Sequence, residues 1–109
     1  MKPAEWVATR TPPAPDELRA HMHGFVKNGD DAAEYSGPLI SACEEAFARV
    51  LDSGAASRES AFDLLSADAF VTYAFEAAAD EPATIAERAD AAMRCVSDLA
   101  AARFTTEAQ

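Results

Sequence analysis

The chain has 109 residues, room for one compact domain and not for two. Asp and Glu total 19 against 9 Lys and Arg, a formal net charge of −10, which argues against binding to nucleic-acid phosphates or anionic lipid, since both reward clustered basic residues. Half of the residues are hydrophobic but 27 of them are alanine, so large apolar side chains are scarce and the core they can build is modest.

No run of 18 uncharged apolar residues exists, so no membrane span is expected. Glu5 interrupts the stretch where a signal peptide needs an apolar run, and a cytoplasmic location is the default expectation. Cys43 and Cys95 are too few for a disulfide framework, and both fall in helical patterns where cysteine serves as a small buried hydrophobe.

Residues 1–14 read as an irregular arm. Pro3, Pro12 and Pro13, followed by Pro15, forbid a long helix, and Trp6 and Val7 are its only large apolar groups. A first helix is predicted over 15–28, opened by Pro15, Asp16 and Glu17, with Leu18, Met22, Phe25 and Val26 at amphipathic spacing and Gly29 as its stop. An acidic loop follows. A second helix is predicted over 38–52, its stripe formed by Leu39, Ile40, Cys43, Phe47, Val50 and Leu51, with Arg49 four residues after Glu45 on the other side.

The third helix, over 58–79 with Ser57 as cap, carries two apolar arcs. Leu64, Ala67, Val71, Ala74, Phe75 and Ala78 form one; Phe62, Leu65, Ala69 and Tyr73 lie nearly opposite. A helix apolar on both sides is covered on both sides. The charge-free first arc is assigned to the core. The second, interrupted by Ser66 and Glu76, is assigned to a contact with a second copy, with the N-terminal arm as the competing cover.

The fourth helix is predicted over 84–104, opened by a Thr84–Glu87 capping box, with Ile85, Ala89, Ala92, Met93, Val96, Leu99 and Ala100 facing inward and residues 105–109 fraying. No segment alternates as a strand does. The expected fold is therefore all-α: an antiparallel, up-down-up-down four-helix bundle over 15–104, preceded by the irregular arm. Its expected core is Leu18, Met22, Phe25, Ile40, Cys43, Phe47, Val50, Leu64, Val71, Phe75, Ile85, Met93, Val96 and Leu99.

Catalytic and metal-binding patterns are thin. Asp30, Asp31 and Glu34 have a spacing that would put carboxylates on one helical face, but they sit between glycines and read as a solvated acidic turn. Glu17 and His21, at i and i+4, could share a cation, but no Glu-x-x-His pair supports a di-metal bundle, so no metal and no cofactor are expected. Neither a nucleophile elbow nor a glycine-rich phosphate loop occurs, and no catalytic residue is assigned.

The leading functional reading is a non-enzymatic helical module that self-associates, as a twofold dimer, or binds another protein. An acidic inhibitor, immunity protein or antitoxin for a basic partner is the second, motivated by the charge. A small-molecule binder or enzyme with an interhelical pocket near Glu76 and Tyr73 is the third. Phe62, Leu65, Tyr73 and Glu76 are the candidate ligand or interface residues.

Overall fold

The computed structural model describes residues 1–54 and 57–108, with side chains through Ala102. Among these residues the only regular secondary structure is helical: α1 over Pro3–Ala8, α2 over Asp16–Val26, α3 over Ser36–Ser53, α4 over Arg58–Ala78 and α5 over Ile85–Ala108, with a 3₁₀ turn over Pro82–Thr84. The four long helices are the four expected ones, shifted by a few residues at their ends. The backbone of α5 stays helical to Ala108, past the expected end at 104; Gln109 lies outside the described residues.

The arm differs from expectation. It is not irregular throughout, because α1 occupies its first half. Pro3 sits in the first turn, where no amide hydrogen is needed, Glu5 suits the positive end of the dipole, and the Thr9 hydroxyl donates to the Trp6 carbonyl at 2.6 Å at the exit. Trp6 anchors this helix: it is buried, stacks on Tyr35 with ring centroids 5.4 Å apart, and is covered outside by the Arg10 guanidinium at 4.1 Å.

Sharp local signals set the α3–α4 turn. Gly54 ends α3 in the left-handed region at φ 64°, a conformation that charges any side chain with a Cβ a steric cost. Ser57 caps α4 as expected, accepting from the Ser60 amide at 3.0 Å while the Ser60 hydroxyl accepts from the Ser57 amide at 3.0 Å. The cap proposed for the last helix does not form in that way. The Thr84 hydroxyl donates to the Glu81 carbonyl at 3.2 Å and accepts from Arg88 Nε at 3.0 Å, because Thr84 closes a 3₁₀ turn that Glu81 opens.

The core lies where α3 and α4 pack together, with α2 packed chiefly against α4 and α5 chiefly against α3. It is largely a seam of alanines: Ala42 and Ala46 from α3 cluster with Ala67 and Ala74 from α4, filled in by Leu39, Met22 and Phe70. Part of the expected core is there, with Met22 and Cys43 buried and Leu18, Phe25, Ile40, Phe47 and Val71 packed at its edge. Leu64 and Phe75, however, are 51 % and 40 % exposed, and Met93 is 68 % exposed. The buried line of α4 is Asp63, Ser66, Ala67, Phe70, Ala74 and Ala78. Three of its six members, Ala67, Ala74 and Ala78, belong to the arc assigned to the core, but the line turns away from that arc's Leu64 and Phe75 toward Asp63, Ser66 and Phe70. No described helix is long and apolar enough to cross a membrane.

Candidate functional sites

Three places carry more than packing, and each begins in a polar or aromatic side chain with a defined partner. The first is the α2–α4 clasp. Asp63 lies on the inward line of α4, almost fully buried, and its Oδ1 is 2.6 Å from Nε2 of His21 on α2. Burying a carboxylate is costly unless it is hydrogen-bonded, and His21 fills that role. The His21 ring is held in turn between Phe25, edge-on at 5.8 Å, and Phe62 at 5.7 Å; Phe25 meets Phe70 edge-on at 6.0 Å. Arg49 and Arg58 close the cluster from outside, over Phe25 and Phe62 respectively. Glu17, read as a possible co-ligand of His21, turns away and pairs with Arg58 at 2.5 Å. Among the described residues no group of three or more His, Cys, Asp or Glu side chains is placed to hold a metal ion. One turn along α4, the Ser66 hydroxyl is fully buried and has no hydrogen-bond partner among the described residues.

The second is the Arg88 latch. Arg88 on α5 reaches the carboxylate of Glu34 at 2.7 Å and that of Glu81 at 2.8 Å, and also donates to the Ser36 hydroxyl. Glu34, in turn, accepts from Ser36 Oγ and from the Gly37 amide at 2.8 Å, so it caps the start of α3. The acidic loop is therefore not simply a solvated turn: its last carboxylate is a structural acceptor. Burial alone would raise the Glu34 pKa, but the hydrogen bonds from Ser36 and Gly37, together with the Arg88 charge, outweigh it and hold the carboxyl below its ordinary value of 4.5. A carboxylate with a depressed folded pKa stabilises the protein above its unfolded pKa, and that stability is lost as pH falls through the folded value. Urea midpoints measured across the acid range should therefore drop for the wild type and change less for Glu34→Gln. At neutral pH, Arg88→Ala should cost about 2 kcal/mol by orphaning this network.

The third is the surface. The outer face of α4 presents Leu64, Leu65 and Phe75 to solvent, interleaved with exposed Asp68, Thr72 and Glu76. Of the four residues singled out in the sequence, Leu65 and Glu76 lie on this face. Phe62 is half-buried under His21, and Tyr73 turns toward a pocket below the N-terminal segment, a pocket that Glu76 does not line. The structure thus separates the four into two sets. It adds Asp63 and Arg88, which sequence reasoning passed over, and buries Ser66, which that reasoning placed on an interface; the signal for Asp63 was its spacing of four, seven and eleven residues before Ala67, Phe70 and Ala74.

The cysteines are both free. Burial, reinforced by Glu44 and Asp68, raises the Cys43 thiol pKa; the Glu44 carboxylate beside Cys95, helped by burial and Asp98, raises that of Cys95. Both are disfavoured as nucleophiles, since the thiolate is the reactive form.

No protein-family model matches the chain, and neither the curated proteins nor the solved structures provide a match.

Proposed function

We propose that this chain is a non-enzymatic protein-binding module whose outer α4 face takes an apolar helical segment bearing basic residues. In this reading the four long helices stand in an antiparallel, up-down-up-down bundle and α4 offers the partner its one uncovered side. The observation that supports it is the company the exposed side chains keep. Leu64, Leu65 and Phe75 are each at least 40 % exposed, and the charged groups among them are Asp68 and Glu76, on a chain of net charge −10. Apolar anchors supply the affinity of such a contact, and surrounding charge selects the partner's sign. A second copy is the competing occupant. It matches the apolar anchors equally well, but it brings Asp68 and Glu76 against like charges.

An amphipathic Leu/Lys helical peptide tests the face by calorimetry. The triple variant Leu64→Ser, Leu65→Ser, Phe75→Ser keeps the net charge, so a Coulombic attraction alone would survive in it. Binding should weaken at least ~10-fold in the triple variant, with the melting temperature little changed. Equal binding by wild type and variant overturns the proposal. If light scattering gives twice the chain mass for wild type and a single chain mass for the variant, a second copy occupies the face and the basic-partner reading falls.

A further inference from the structure

The N-terminal segment does not lie flat on the helices behind it. Between them is a pocket of about 420 Å³, lined by Val7 and Ala14 from that segment, Met22 and Val26 from α2, and Phe70 and Tyr73 from α4. At ~30 Å³ per water this is room for roughly 14 water volumes, within the range of small-molecule sites. It lies on the Tyr73 flank of α4, apart from the face built around Leu64, Leu65 and Phe75, and does not depend on what that face binds.

The lining indicates the occupant. Most of it is apolar, so an occupant gains chiefly by leaving water. The half-buried Tyr73 ring favours an aromatic guest, because a ring edge attracts a π face, while Met22 and Phe70 form the closed floor beneath. Of the ionisable groups in the lining, Arg19 and Asp16 are hydrogen-bonded to each other and cancel, and the His23 imidazole adds a further polar group for a hydroxyl-bearing guest. Half-buried Tyr73 brings a hydroxyl that forms no hydrogen bond to another described residue, a free partner for one polar group. The geometry points to a binding site for a small uncharged aromatic molecule carrying a hydroxyl, of the alkylphenol class.

Three methionines report on it. Met22 lines the pocket, whereas Met1 and Met93 are 55 % and 68 % exposed elsewhere. In protein labelled at the methionine methyls, titration with 4-ethylphenol should shift the Met22 resonance saturably and leave the other two in place. Ala20→Phe, at an exposed position on the rim, should abolish the shift with the melting temperature unchanged. Tyr73→Phe should weaken 4-ethylphenol about fivefold, the value of one hydrogen bond, and leave ethylbenzene binding as it was. A Met22 resonance that does not move, three resonances that move together, or a shift that survives Ala20→Phe overturns the site. Hexan-1-ol binding as tightly as 4-ethylphenol overturns the aromatic class.

Discussion

Replacing His21 with alanine should destabilise the protein by about 3 kcal/mol, more than twice the effect of replacing its partner Asp63. The two residues share one hydrogen bond of 2.6 Å, yet what each leaves behind differs. Without His21, a carboxylate that is 5 % exposed is stranded against the alanine seam. Without Asp63, the imidazole that remains sits at the edge of the protein, where water reaches it. His21→Gln, which returns an N–H donor to the Oδ1 side, should recover about half of the loss. Urea unfolding of the three variants gives the order directly; Asp63→Ala as the worse of the two would mean that the carboxylate finds its own solvation.

Phe70→Ala should cost about 4 kcal/mol, while Phe75→Ala, five residues along the same helix, should cost less than ~1 kcal/mol. Phe70 is wholly buried and meets Phe25 edge-on, so truncation opens a cavity that its rigid neighbours cannot close; Phe75 is 40 % exposed and leaves space that water fills. Against a total stability of about 5–15 kcal/mol the first change threatens folding and the second does not. Thermal melts of the two variants separate these outcomes.

The pair Phe70 and Phe75 also shows where the sequence misleads. Ranking α4 positions by apolar character favours the arc of Leu64, Val71 and Phe75, which is free of charge. The inward line contains Asp63 and Ser66, and three of its members are alanines, which add little hydrophobic contrast. Their contribution is shape: small side chains let two helices approach, and that demand becomes visible only when α3 lies opposite. The helices themselves were legible because capping and stop signals are local, as at Ser57 and Gly54. Met22 and Cys43 were legible because their helices have one apolar side. His21 was legible as a polar boundary residue, but its partner lies 42 positions away, and nothing in either local pattern links them. Of the pocket's lining, Tyr73 alone figured in the sequence reading of a ligand site; the other walls come from α2, from Phe70 and from an arm whose docking depends on Trp6 finding Tyr35.

The alanine seam has a consequence for how the molecule moves. Helices α3 and α4 are neighbours along the chain, joined by a short capped turn, and their contact is the most extensive in the protein. Pairing them closes little loop, so this hairpin can form early and quickly. α1 and α5, by contrast, are each secured to the rest by a few side chains, chiefly Trp6 on Tyr35 and Arg88 on Glu34 and Ser36. Such elements open without the rest unfolding. In deuterated solvent the amides of α3 and α4 should therefore keep their protons until global unfolding, while those of α1 and α5 exchange through separate partial openings, making the molecule a slow hairpin between two faster hinged ends.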